Sequence, residues 1–358
     1  ESPEKRHWTN PGWSGQGVER PAINWHSFET KRILGTVPVE ADGSACFRVP
    51  ADAFVYFQLL DEKGMMIQSM RSGTIAQSGE TTGCIGCHDN RNMSAPVAKT
   101  SMPLAMRRAP SELKGWHGPA REFGYLAEVQ PVFDRHCNSC HDFGKKGAEK
   151  LVLAGDKNGA FNVSYVQLWT RGYLRVVGGG PAETQQAYSW GSHASPLTQS
   201  IVKGHYDVKL GAEDFDRLVT WVDLNAVYYP TYGTNFPDNN YGRSPLTVAQ
   251  QGELASLGVG DMDVCFDRPE MSPPLERIRG DSAKYARALA IIQAGKDTLA
   301  KNPRADMPGF TLCETDRQRE AKYARREQVE RQNREAIRDG KKYYESAATQ
   351  PAGATTGR

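Results

Sequence analysis

Cys137-Asn138-Ser139-Cys140-His141 repeats, 53 positions further along, the pattern of Cys84-Ile85-Gly86-Cys87-His88. Both stretches read C-x-x-C-H, the attachment pattern for c-type haem. Two thiols three positions apart on one helical turn can each add to a vinyl group of a porphyrin, and the adjoining histidine then lies beneath the iron. In a chain of 358 residues with 7 Cys and 8 His, chance supplies this pattern only about 0.003 times. A structural zinc site would use the two pairs as four ligands and leave both histidines without a reason to follow them. A redox dithiol would want one pair in a βαβ setting. The sequence therefore predicts two covalently bound haem c groups, held by Cys84, Cys87, Cys137 and Cys140, with His88 and His141 as proximal iron ligands. Covalent haem attachment takes place outside the cytoplasm, so the expected compartment is the periplasm or its equivalent. Among the remaining cysteines, one disulfide is expected between Cys265 and Cys313, leaving Cys46 buried and free.

Around the second motif the chain reads as a small cytochrome c-like domain over 120–232. Phe123, Leu126, Val129, Val132 and Phe133 give the motif a helix to follow. Pro196 to Lys203 reads as another helix, and Phe215, Leu218, Val219 and Val222 at i, i+3, i+4 and i+7 give a closing amphipathic one. The loop between supplies two candidates for the sixth position of the second iron, His205 and His193. His205 is preferred, since it directly follows one helix and precedes the next, which fixes its backbone. No methionine occurs between Met106 and Met262, which points to a bis-histidine iron. Two imidazoles hold the reduction potential below that of a His/Met pair and suit a donor of electrons. For the first iron, His117 and His136 are within reach by sequence, and an open sixth position is the other possibility.

Upstream, 32–93 reads as a small β-sandwich that ends in the first motif. Its runs are Ile33 to Val39, Ala45 to Val49, Phe54 to Leu60 and Met65 to Met70, with turns at Ala41-Asp42-Gly43-Ser44 and Asp61-Glu62-Lys63-Gly64. An N-terminal extension over 1–31 precedes it, and 94–119, rich in Pro, Ser and Lys, reads as a linker. Beyond the cytochrome unit, 233–346 reads as a helical extension: Asp281 caps a helix through Leu299, and 314–339 forms a charged one with Glu327–Arg331 and Glu330–Arg334 pairs. A small-residue tail, 347–358, reads as disordered. The fold class is thus α+β and multidomain.

Composition sets the outer bounds. Lys plus Arg number 44 against 42 for Asp plus Glu, a formal balance of +2. No one-sign field marks the chain for nucleic acid. Hydrophobic residues make up 39% with mean hydropathy −0.60, and no run approaches the roughly 18 apolar residues of a membrane helix. The chain opens at Glu1 without a leader, as a processed protein or a piece of a longer one would.

Gly35-Thr36-Val37-Pro38-Val39, Asp42-Gly43-Ser44, Phe57-Gln58, Gln68-Ser69-Met70-Arg71-Ser72 and Gly79-Glu80, running into Cys84 to His88, resemble the middle domain of the hydrazine synthase alpha-subunit family. Gln130-Pro131-Val132, Cys137 to His141, Gly191-Ser192-His193, Gly204-His205, Trp221-Val222-Asp223-Leu224-Asn225 and Pro303 to Phe310 are similar to that family's C-terminal cytochrome domain. The resemblance implies two c-type haems, with His205 at the place of the distal histidine of the second. Family members commonly begin with a β-propeller over the first haem, so a propeller-containing subunit is an expected partner. Where hydrazine synthase has an iron-binding tyrosine four residues after the first motif histidine, this chain has Asn92. His88 then reverts to the ordinary proximal role, and hydrazine chemistry is not implied.

The expected function is a periplasmic dihaem cytochrome that relays electrons between redox partner proteins. The alternative is a hydrazine synthase-like haem oxidoreductase acting on a small nitrogen compound at the first haem, with the second as relay. A third reading is a structural subunit that docks through its β-rich unit and charged helix. Asp89 and Glu80, near the first motif, are equally explained by solvation or loop hydrogen bonds, so no acid and base pair selects the enzyme.

Overall fold

The computed structural model describes residues 1, 30–70, 73–85, 102–176, 186–238 and 242–341. Its regular sheet is a two-stranded antiparallel hairpin, β1 (Gln58–Leu60) and β2 (Met66–Ser69), paired Gln58 to Ser69 and Leu59 to Gln68 with a bulge between Leu59 and Leu60. The turn is built by Asp61, whose carboxylate accepts the Lys63 and Met65 N–H groups at 2.9 and 2.8 Å, while Gly64 takes the left-handed φ of 78° that closes it. The other runs expected as strands of a sandwich make single bridges only: Arg32 with Glu122, Thr36 with Lys114, Phe47 with Ser111 and Val55 with Thr74. Gly35, Pro38 and Pro50 interrupt these runs, and most of their side chains are half-buried or exposed. No alternating buried face forms that would hold a ladder. The partners come instead from 111–122, so the later part of the expected linker is pinned to the β-rich unit.

The second unit is helical. Tyr125–Glu128 forms α1, Gln130–His136 forms α2 and Asn138–His141 forms α3. The sequence suggests one helix from Phe123, but Phe123 precedes α1, and the chain turns at Val129 and again at Cys137. Pro131, near the start of α2, has no N–H to lose there and sets the new helix going. Asn162 caps α4 (Val163–Thr170) by accepting the Tyr165 N–H. Then follow α5 (Pro196–Val202), one residue short of its expected end, and α6 (Ala212–Asp223), which takes in the expected stripe from Phe215 to Val222. Phe123, Tyr125, Val132, Phe133, Phe161, Tyr165, Leu218, Trp221 and Tyr228 form the core, all 2% exposed or less. Tyr125, Tyr165 and Tyr228 stack or meet edge-on with centroids 4.7–5.3 Å apart.

The extension has its own core of Leu246, Leu254, Phe266, Leu275, Ile291, Ile292 and Leu299. It is supplied by α7 (Val248–Ser256), α8 (Pro273–Arg277) and α9 (Ser282–Lys301). Thr247 and Gln250 cap α7 reciprocally, and Asp281 caps α9 as its position indicates. Gly295 lies against Phe266 so closely that a Cβ would come within 2.3 Å of the ring. The last helix, α10 (Glu314–Arg338), buries only Asp316, whose carboxylate accepts the Thr234 N–H at 3.0 Å. Arg334 of this helix pairs with Asp52 of the β-rich unit.

The expected Cys265–Cys313 disulfide is not formed; both thiols are free. Cys265 is packed with Val152, Ala154 and Val163, whereas Cys313 precedes α10 and donates its N–H to Thr234 O. Cys46 is free but half-buried rather than enclosed. Among the described residues no helix is long and apolar enough to cross a membrane.

Candidate functional site

His141 ends α3, one turn after Cys137. The Cys137 carbonyl accepts the N–H groups of both Cys140 and His141, at 3.0 and 2.9 Å, so the motif is wound as a single tight turn. That turn brings Cys137, Cys140 and His141 to neighbouring places. The His141 Nδ1 lies 2.9 Å from the Leu151 carbonyl oxygen. A carbonyl can only accept, so Nδ1 carries the proton and Nε2 keeps its lone pair free for a metal. Leu151 is brought there by the 3-10 turn Lys146–Glu149, inside which Gly147 approaches the motif directly. A Cβ on Gly147 would lie 2.6 Å from Cys140 O and 2.8 Å from His141 Nδ1.

The ring of His205 faces that of His141, with centroids 6.0 Å apart and planes inclined by 34°. That separation is too wide for direct stacking and would leave room for an ion held by a nitrogen of each ring, since an imidazole nitrogen bonds a metal at about 2.0–2.1 Å. Gly204, at φ 91°, and Tyr206, at φ 52°, turn the chain on either side of His205, and its carbonyl accepts the Val208 N–H. Burial pushes the Cys137 thiol up to about 11, with the nearby Asp134 charge adding to the shift. A neutral thiol is the opposite of what a reactive dithiol requires. The donor set is thus two thiols, one imidazole with its free nitrogen fixed and a second imidazole across a metal-sized gap, and it fits a haem c.

His193 is turned to a different task. Its Nε2 sits 3.0 Å from Asp61 Oδ2, and Tyr188 meets its ring edge-on. Next to it the turn Gly191–His193 is held by Asp223, the last residue of α6. This carboxylate accepts the Ser192 N–H and hydroxyl at 2.6 and 2.8 Å and the Met66 N–H at 3.0 Å, and a Cβ on Gly191 would lie 2.4 Å from it. Asp223 is 2% exposed, and burial pushes its carboxyl up to about 7. It ties β2 and the Gly191–His193 turn to α6. His117 and His136 both have Nε2 against carboxylates, Asp216 at 2.6 Å and Asp214 at 2.8 Å.

Of the first motif, Cys84 is an exposed free thiol on a loop; Cys87 and His88 lie outside the described residues, as do Asp89 and Asn92. Glu80 accepts the Gln77 N–H and shapes the preceding turn. Among the described residues no group of three or more His, Cys, Asp and Glu side chains gathers as a metal cage. Sequence reasoning misses Arg268. Its guanidinium bridges Asp142, the residue after the motif histidine, at 2.7 Å, and the buried Asp156. The two carboxylates raise the Arg268 pKa above its ordinary value against a smaller opposing effect of burial. No motif marks Arg268, because its partner Asp142 lies 126 positions away.

The family model of the hydrazine synthase alpha subunit middle domain matches residues 2–89. This segment of the chain is similar to that family's middle domain. Hydrazine synthase subunit alpha from Kuenenia stuttgartiensis is 22% identical, across 62% of this chain and 36% of that protein, so the chain spans about a third of its curated relative. No solved structure matches. The matched segment takes in the β-rich unit and the first attachment motif.

Proposed function

We propose that this chain is an extracytoplasmic dihaem c-type cytochrome that relays electrons as one subunit of a redox complex. The facing rings of His141 and His205 beside Cys137 and Cys140 carry the reading. In it, Cys137 and Cys140 would hold one haem c through thioethers, with His141 and His205 as the residues that would bind its iron. Cys84, Cys87 and His88 would hold the other. The haem supplies reversible one-electron exchange at its iron. The protein supplies orientation: Leu151 O fixes the His141 tautomer, Gly147 leaves room for that contact, and Arg268 steadies Asp142 at the end of the motif. With His141 and His205 both bound to it, that iron would keep no place for a substrate. That favours relay over chemistry. The complex is inferred from the relative's name, which makes it one subunit of a larger enzyme. The compartment follows from where haem is covalently attached.

The test is spectroscopic. A pyridine haemochrome assay should return two haems per chain, and the mass of the native polypeptide should exceed that of the sequence by two porphyrins. His205→Ala should convert one iron from low to high spin while His193→Ala leaves both spin states unchanged. The opposite pattern would move the distal ligand to His193, and no added mass would end the reading.

A second reading has its own support, because the matched family segment includes the first motif. In it the first haem acts on a small nitrogen compound and the second delivers electrons. Carbon monoxide added to the reduced protein discriminates: a shifted absorption band marks an exchangeable iron, and an unchanged spectrum removes the enzyme.

A further inference from the structure

Five lysines crowd the two short segments that carry the facing histidines. Lys145, Lys146 and Lys150 lie on the turn that wraps His141, and Lys203 and Lys209 flank His205. All five are exposed, and none takes part in an ion pair among the described residues. Only Glu149 and Asp207 oppose them within 143–151 and 202–210. The turn and the ring pair are in contact, since Leu151 O accepts from His141 and Gly147 abuts the same ring. The lysines are therefore gathered around one spot although the chain as a whole carries only +2. The His205 segment also carries two exposed apolar side chains, Tyr206 at 92% and Val202 at 47%, with Tyr206 edge-on to His205 at 5.0 Å.

Exposed apolar side chains among charges of one sign suit a transient protein interface, and the like charge steers a partner of opposite sign before contact. We propose that this face docks the acidic surface of a one-electron carrier protein and brings it against the His141–His205 edge. Unpaired positive charges beside exposed apolar side chains call for an acidic partner, and on the relay reading that partner is a protein that carries one electron. The proposal rests on the relay reading above and adds where the partner sits and what sign it carries.

The full haem-loaded chain can be tested with reduced flavodoxin as an acidic probe and hexaammineruthenium(II) as a cationic one. Haem reduction is followed by stopped flow and flavodoxin binding by calorimetry. The rate with flavodoxin should fall about tenfold as salt rises from about 20 to about 200 mM, while the ruthenium rate should stay level or rise. The doubles K145E/K146E and K203E/K209E should each weaken flavodoxin binding and slow the rate about tenfold at low salt, with an unchanged low-spin spectrum. K301E/K322E makes the same charge change on α9 and α10 and should have little effect. Equal effects from all three doubles would overturn the docking face while leaving the relay intact. So would loss of binding to phosphatidylglycerol vesicles in the patch doubles with flavodoxin unaffected, since the patch would then serve a lipid surface. A chain that carries no haem would fail in the starting spectrum and would take the relay reading down first.

Discussion

Gly147 sits where a single methyl group would collide with the Cys140 carbonyl and the His141 ring. Its φ is not in the left-handed region, so the need is for space alone. Gly147→Ala must push back the Lys146–Glu149 turn or rotate the imidazole away from Leu151 O, and both weaken the fixed tautomer. We expect a loss of about 1–3 kcal/mol in thermal or urea unfolding and a broadened low-spin signal from the second iron in electron paramagnetic resonance. An unchanged signal would show that the Leu151 contact does not orient His141. The place of His141 is written in its motif, and the approach of His205 follows from its position between two helices. The Leu151 carbonyl and the space at Gly147 are not legible, because any residue offers a carbonyl and a glycine discloses nothing about its neighbours.

The end of α6 meets the β-hairpin at Asp223. Its carboxyl is pushed up to about 7 from an ordinary 3.8, chiefly because it is buried, with Asp61 adding repulsion against three hydrogen bonds, two from Ser192 and one from Met66, that favour the charge less strongly. A carboxyl whose pKa is raised by folding favours the fold most below the unfolded value. Stability from it is lost as the pH climbs from about 4 to about 7, and the cost is level above that. The full swing is ~4 kcal/mol. Asp223→Asn should remove this slope, so its unfolding free energy between pH 4 and pH 7 should be flatter than that of the natural chain, with the lost acceptors costing something at every pH. If Asp223→Asn keeps the full slope, Asp223 is charged throughout. At this scale the helices were legible and the sheet was not. α5, α6, α9 and α10 each carry their own period or cap, whereas the expected sandwich depended on pairings that the residues of 32–50 make one at a time with 111–122. A strand is defined by its partner, and nothing in the 33–39 run says that its partner lies at Lys114.

The helical unit over 120–232 and the extension read as separate modules in the sequence, each with its own apolar pattern, yet Arg304 joins their cores. Its side chain is fully buried, donating to Asn158 O and Phe161 O at 2.7 Å and to the Asp306 carboxylate at 2.8 Å, while Tyr228 donates to Asp306 at 2.8 Å. Burial works against the charge on Arg304, but Asp306 beside it, joined by Tyr229, more than offsets this and keeps the guanidinium above its ordinary pKa. Asp306 in turn is held below the usual carboxylate range by Arg304 despite its burial. Removing one partner of such a pair strands the other in a medium that cannot solvate it, and the loss is about 3–5 kcal/mol. Arg304→Met should therefore cost that much, and the cost should fall unevenly. Asn158 O and Phe161 O lose a donor on the side of the 120–232 unit, while the core built around Phe266 and Ile292 keeps every apolar contact. The natural chain should then unfold in calorimetry as one transition over 120–341. Arg304→Met should split it, with the 246–301 helices melting apart from the unit around Trp221. Arg304→Met combined with Asp306→Leu removes both charges and should recover part of the stability, because the desolvation penalty goes with the pair. A single transition in Arg304→Met, shifted by less than about 1 kcal/mol, would mean that the apolar surfaces alone hold the two units together.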